Sequence, residues 1–461
     1  MLVATEEGHS KDGQPASHAL PDPSKSRSVT RRLTFRAMKT TPFLLVLSLA
    51  GAAGLRAQTA SSPRAQHIAE DIRYLASDAL AGRKTGEPGN DSAAAYLARE
   101  LRRLRLRPAG DGGTYLQHWT VGNSTGTRAA GVAGRATENV VAILPGADRR
   151  LAGQAIVLGA HFDHLGTGRF GSLAPDSGQI HNGADDNASG TAAVLELARL
   201  LSRARPRPAR TVVFVLFSGE EEGTLGSAWY ADHPAVPTDS TYAYLNFDMV
   251  GRLRNGRLLI KGSSTATEWT ALLDSVNAGA HFDMHASGDG WGPSDQVSFF
   301  AKKRPVLHFF TDLHEDYHRP SDDAERINAD GIAQVVDFAF DLTQRLARRV
   351  APLTFVDAPP PAPPVASASG RPRPSLGTIP DMADEPGGVR LTGVRTGSPA
   401  DSAGLRAGDI LIGLGTHTIA NLQDFQNALM SYQAGDRVEV RYMRGDQTLS
   451  VTVTLGGRPA N

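Results

Sequence analysis

Cysteine is missing from all 461 positions of the chain. Disulfides and thiolate metal sites are therefore excluded, and any bound metal must take histidine and carboxylate ligands. An excess of either charge is missing too, since Lys plus Arg and Asp plus Glu each number 48. With no basic helix and no aromatic–basic pattern, that balance points away from a nucleic-acid partner. The basic stretch "RARPRPAR" (Arg203 to Arg210) falls between a helical pattern and a strand and reads as a solvated loop. No run is suited to crossing a membrane: the most apolar stretch, Pro42 to about Gly54, is short and rich in Gly and Ala. There is no internal repeat.

That stretch fits a secretory signal instead. Met38 and Lys39 precede it, and Leu55-Arg56-Ala57 follows as an A-x-A-like cleavage site after Ala57. Residues 1–37 are polar and patternless, so translation is expected to begin at Met38. The pair Arg31-Arg32 suits a twin-arginine signal poorly, because the residues after it do not match. No cysteine is available for a lipid anchor. The chain is expected to be exported, to a periplasm or the medium.

From about residue 65 the pattern alternates. "AQHIAEDIRYLASDAL" and "DSAAAYLARELRRLRL" carry apolar residues at helical spacing, the second with Asp91 or Ser92 as its cap. Strands are expected at 139–146, 155–166, 211–217, 242–251, 257–262 and 305–310. Helices are expected at 188–204, about 224–230, 267–280 and 330–349. Strands alternating with helices imply an α/β fold, a three-layer sandwich around a mostly parallel sheet.

"TVVFVLFSGEEEG" (Thr211 to Gly223) poses the chemical question. A strand apolar throughout is buried on both faces, yet it runs into three glutamates, whose charges resist leaving water. In such sheets, ligands gather at the carboxyl ends of the parallel strands. Four strand or loop ends here finish in metal-type ligands: His161 and Asp163 in "GAHFDHLG", Asp185 and Asp186 in "HNGADDNASG", Glu220 to Glu222, and Asp248 in "LNFDMVG". His318 follows in "DYHRPSDD". Taken singly, each has a plainer reading: a hydrogen-bonded histidine, a helix cap, a solvated loop. Together at one sheet edge they demand cations, and two dications with N/O ligands suit zinc in a hydrolase.

"HFDHLG", "NGADDNASG", "FSGEEEGTLGS", "NFDMVG", "PSDQVSF" and "YHRPSD" resemble, in order and spacing, the co-catalytic di-zinc peptidases related to bacterial leucyl aminopeptidases. That family also holds glutamate carboxypeptidases and glutaminyl cyclases. The likeness spans roughly residues 65–350 and implies the zinc-exopeptidase fold and two zinc ions per chain. It further implies that Asp186 bridges the metals, with His161 and Asp248 completing one site and Glu221 and His318 the other. Glu220 is then the general base, and Asp163 holds the His161 ring. Asp185 and Glu222 lie off the metals, in capping or solvated roles. Gln296 stands where the family often has histidine, which bears on substrate choice. His181 reads as a loop residue beside the site.

Residues 351–374 form a Pro/Ala-rich linker, expected to be extended and able to hold the C-terminal module clear of the peptidase domain. Residues 375–457 resemble a PDZ domain of bacterial protease type, notably at "SPADSAGLRAGDIL", with a hairpin turning near Gly445-Asp446. Its carboxylate-binding loop falls at "SLGTI", followed by Pro380, which lacks a strand donor. Peptide C-termini are its expected partners; the alternative is a module that only packs against the peptidase domain. The chain reads as an exported zinc aminopeptidase acting on peptides. A carboxypeptidase or amidohydrolase on the same fold, or a non-catalytic peptide-binding protein, is the alternative.

Overall fold

A computed structural model describes residues 62–174, 178–360, 373–383 and 387–458. The signal-peptide region lies outside the described residues, as do residues 361–372 of the linker. No described helix is long and apolar enough to cross a membrane.

Nine strands form one central sheet: β1 (Arg107–Pro108), β2 (Leu116–Thr120), β3 (Ala136–Leu144), β4 (Ala155–His161), β5 (Thr211–Phe217), β6 (Thr241–Phe247), β7 (Arg257–Lys261), β8 (Asp283–Ser287) and β9 (Val306–Phe310). Their order is β1-β3-β5-β4-β6-β9-β7-β8, with β2 also on β3. The four in the middle, β5, β4, β6 and β9, run parallel, whereas β3 and β7 join them antiparallel. The sheet is thus parallel at its centre and mixed overall. Every residue of those four strands is buried, as their unbroken apolar runs require. Successive side chains alternate between two cores. Val212, Phe214 and Leu216 join Ile156 and Leu158 against the helices Pro63–Leu75, Pro88–Arg103, Gly190–Arg203 and Ala329–Arg348. Val213, Val215 and Phe217 meet Tyr244 and Phe299 on the opposite face.

The helix Gly190–Arg203 buries Val194, Leu197, Ala198 and Leu201. The helix Pro88–Arg103 begins earlier than expected. Pro88, whose fixed φ suits the first turn, occupies that turn, so neither Asp91 nor Ser92 caps it, and the Ser92 hydroxyl donates to the Pro88 carbonyl at 2.8 Å. Three strands, β1, β2 and β8, were not legible. β1 is two residues long and β8 is half exposed, so neither leaves an apolar signature.

The C-terminal region is separate in its core, built on Leu376, Leu391, Leu411, Val440 and Val453. Its sheet is antiparallel, with the expected hairpin Arg437–Arg444 and Gln447–Thr454. It does not stand clear of the first domain. Asp381, just past the short strand Thr378–Pro380, accepts two bonds from the Arg257 guanidinium, at 2.6 and 2.7 Å. Met382 and Ala383 pack with Met249, Leu259 and Phe310 of the first domain. An extended linker permits separation but does not enforce it, and here buried apolar contact and an ion pair decide.

Candidate metal centre

The chain runs from β4 out to β5 on one side, then crosses back to β6 on the other. Neighbouring loops diverge where the direction reverses, which opens a crevice at the carboxyl end of β4. His161 is the last residue of β4, paired with Phe217 at the end of β5. The Asp248 amide extends β6 by donating to the Phe309 carbonyl at 3.2 Å. The sheet alone therefore sets His161, the glutamates and Asp248 side by side.

Asp186 enters from the loop ahead of the helix Gly190–Arg203. Gly183 opens that loop at φ 56°, where a Cβ would lie 2.2 Å from the Asp186 carbonyl, so only glycine fits. The Asp185 and Asp186 amides both donate to Asp322, at 2.8 and 3.1 Å. The Asp186 carboxylate then faces two ways: Oδ1 lies 3.4 Å from His161 Nε2, and Oδ2 lies 3.1 Å from His318 Nε2. On the first side Asp248 Oδ1 is also 3.4 Å from His161 Nε2, with Glu220 at 3.9 Å. On the second, Glu221 Oε2 is 3.2 Å from His318 Nε2.

Supporting bonds aim these atoms. His318 Nδ1 lies 2.8 Å from the Gly171 carbonyl; a carbonyl only accepts, so Nδ1 carries the proton and Nε2 is free to ligate. Ser294 donates to Asp248 Oδ2 at 2.7 Å and accepts from Asn246, which also reaches Gln296. Gln296 is thus buried behind Asp248. The Asp163 carboxylate stands 3.7 Å from His161 Nδ1, too far for a hydrogen bond, while its carbonyl is at 3.3 Å. That carboxylate instead accepts the Glu220 and Glu221 amides and the Thr85 hydroxyl.

The donor set fits metal ions. His161 Nε2, Asp248 Oδ1 and His164 Nε2 are buried with no hydrogen-bond partner, a costly state unless something else binds them. Among the described residues, candidate ligand atoms gather as two groups, His161–Glu220–Asp248 and His164–Asp186–Glu221. Without cations the cluster seeks protons. Burial pushes the His161 and His318 imidazoliums down, but the surrounding carboxylates outweigh it and hold both pKa values well above normal. Burial also lifts Glu220 well above the carboxylate range, aided by Asp295, Glu221 and Asp248. Burial acts on Glu221 too, yet His318 and His164 bring it down to about 2.

Several residues escaped the sequence reading. His164, the second histidine of "HFDHLG", bonds Glu221 Oε1 at 2.7 Å; its place in a ligand motif was the available signal. Arg83 is wholly buried and donates to the carbonyls of Phe162, Leu75, Asn182 and Gly183, tying together the loops around the site. Nothing in its neighbourhood of sequence announces this. Asp185 is buried rather than solvated, held by Gly251, Ser189 and His314. Glu222 accepts from Thr85 at 2.8 Å, and burial, with Asp163 adding, raises it to about 8. His181 stays in its loop, bonded to Ser172 and Gln179.

Residues 139–343 match the sequence model of Peptidase family M28, and residues 374–455 that of the PDZ domain. Leupeptin-inactivating enzyme 1 of Streptomyces exfoliatus is 29% identical over 189 residues, 41% of this chain and 38% of that protein. A probable leucine aminopeptidase of Arthroderma benhamiae is 28% identical over 218 residues, 44% of this chain and 57% of that one. The chain therefore spans well under two thirds of these relatives. A Zn-dependent exopeptidase from Parabacteroides distasonis has the same fold, with a TM-score of 0.50 at 18% identity, covering 62% of this chain and 98% of that one.

Proposed function

We propose that this chain, which belongs to Peptidase family M28 and carries a PDZ domain, is an exported zinc exopeptidase that removes amino-terminal residues from peptides. The observation that carries the reading is Asp186, one carboxylate whose two oxygens face histidines from different segments. His161, Asp186 and Asp248 would hold one zinc; Asp186, Glu221 and His318 would hold the other. Metal bound there supplies an acidified water and polarises the scissile carbonyl.

The remaining work falls to the chain's own groups. Glu220 is partly buried at the rim of the first ligand group, with its affinity for a proton raised. It would take a proton from the attacking water and return it to the leaving amine. Ser294 fixes the rotamer of Asp248, the Gly171 carbonyl fixes the tautomer of His318, and His164 engages the Glu221 oxygen turned from His318. Dense negative charge welcomes a free α-amino group, whereas a terminal carboxylate needs a cation. Arg252 is committed to Asp316 and Asp322, at 3.2 and 2.9 Å, which removes one such cation. Export rests on residues 38–57, and capture of peptide C-termini by the PDZ domain rests on "SLGTI".

The test is a zinc count on the purified chain together with hydrolysis of amino-acyl anilides before and after chelation. About two zincs and activity that returns with zinc are expected. A chain that binds no zinc, or turns over no anilide when loaded, sinks the reading.

A further inference from the structure

In the loops at the carboxyl edge of the sheet, Met249 at φ 54°, Asp312 at φ 75° and His318 at φ 54° hold left-handed backbone. Such conformations are strained for side-chain-bearing residues and persist only where surrounding packing over-determines them. Met249 directly follows the ligand Asp248. His318 is itself a ligand, and Tyr317 precedes it. What over-determines this backbone comes in part from the other domain. Met382 and Ala383 pack into the cluster of Met249, Leu259 and Phe310, which Leu313 and Tyr317 also join. The Met382 amide donates to Asp312 Oδ1 at 3.3 Å, the oxygen that also accepts the Leu313 amide at 2.8 Å. Asp381 is fully buried in side chain and anchors the segment through Arg257, at the start of β7. Its Oδ1 also accepts the Ala383 amide at 2.8 Å, which locks the turn.

We propose that the PDZ-domain segment Asp381-Met382-Ala383 is a positioning element of the metal centre, bracing the loops that carry Asp248 and His318. The inference rests on the zinc-peptidase reading above: its activity readout needs hydrolysis, and its metal readout needs only that the site hold zinc. The segment touches no reacting group. It acts by holding Met249 and Tyr317, so its removal lets two ligands drift, and a shift of about 1 Å at a catalytic group costs on the order of a hundredfold in rate. A module tethered for peptide capture alone would leave turnover of a small substrate untouched, because such a substrate never reaches "SLGTI".

The experiment uses full-length Met382→Ala, Asp381→Asn and Met382→Leu, with Val453→Ala as a control in the PDZ core. Each is measured for kcat and KM on a small amino-acyl anilide and for zinc retained against a graded chelator. Met382→Ala and Asp381→Asn are expected to lower kcat about tenfold or more with KM within about twofold, and to release zinc at lower chelator. Met382→Leu, of similar volume, should restore both values, and Val453→Ala should lower melting temperature alone. If Asp381→Asn fails to fold, Met382→Ala decides, since it leaves no buried charge unpaired. Folded variants with wild-type kcat and zinc retention overturn the proposal, as does an equal loss in Val453→Ala. Inactivity of the wild type sinks the peptidase reading instead, and zinc retention across the variants still tests the brace.

Discussion

Asp186 Oδ2 lies 3.1 Å from His318 Nε2, while the other oxygen of the same carboxylate turns to His161. A ligand shared in this way has no substitute on either side. Asp186→Ala should therefore lose both zincs, whereas Asp248→Ala should lose chiefly one. Elemental analysis after dialysis checks this, and full metal content in Asp186→Ala would show that it is not the bridge.

In the proposed reaction Glu220 moves a proton without being needed to hold metal. Glu220→Gln keeps its size and hydrogen bonding but cannot accept that proton. Zinc should stay bound while kcat drops by at least about a hundredfold. Loss of zinc in this variant would exchange the roles of Glu220 and Glu221.

The choice of peptide end depends on which cations are free. Arg252 is tied up, while Arg319, beside His318, borders a recess with Ala174, Gln179, Pro320 and Ser321. Amino-terminal residues should be released from free peptides, and N-acetylated peptides should be inert. Mass spectrometry of the products decides. Release of carboxyl-terminal residues from an acetylated peptide, abolished in Arg319→Gln, would make the enzyme a carboxypeptidase.

Removing the metals should invert the pH response of stability. In the metal-free protein His161 and His318 hold protons more tightly than in the unfolded chain. Their contribution is complete below the unfolded histidine pKa of about 6.5 and is lost as pH rises through the raised folded values. Burial raises Asp295 to about 7 and adds in the same direction. Metal-free protein should thus melt lower as pH rises above about 6.5. The zinc form should gain over that range, because zinc binding expels those protons. Melting curves of both forms across pH 6 to about 9 test the crossing.

Arg83 offers a test of the scaffold. Replacing it with Leu strands the carbonyls of Phe162, Leu75 and Asn182, each worth about 1–3 kcal/mol if left unmet, while Gly183 keeps the Ala188 amide. A loss of at least about 3 kcal/mol in denaturant unfolding is expected. A loss under about 1 kcal/mol would mean that water replaces the guanidinium.

The primary sequence carried the ligand types and their order, because strands buried on both faces announce themselves as apolar runs and the groups at their ends stand out as charge. His161, Glu220, Glu221 and Asp248 follow from the ends of β4, β5 and β6 once the strands are placed side by side. Absence of cysteine likewise narrowed the metal chemistry before any folding. What tertiary structure alone decided is the set of partners drawn from far along the chain. Examples are Ser294 on Asp248, His164 on Glu221, Arg83 on four carbonyls, Arg252 on Asp322 and Asp381 on Arg257. Each is an ordinary polar residue whose local pattern fits a solvated surface as well as a buried bond. Periodicity reports which face of an element is buried, but not which distant side chain meets it there.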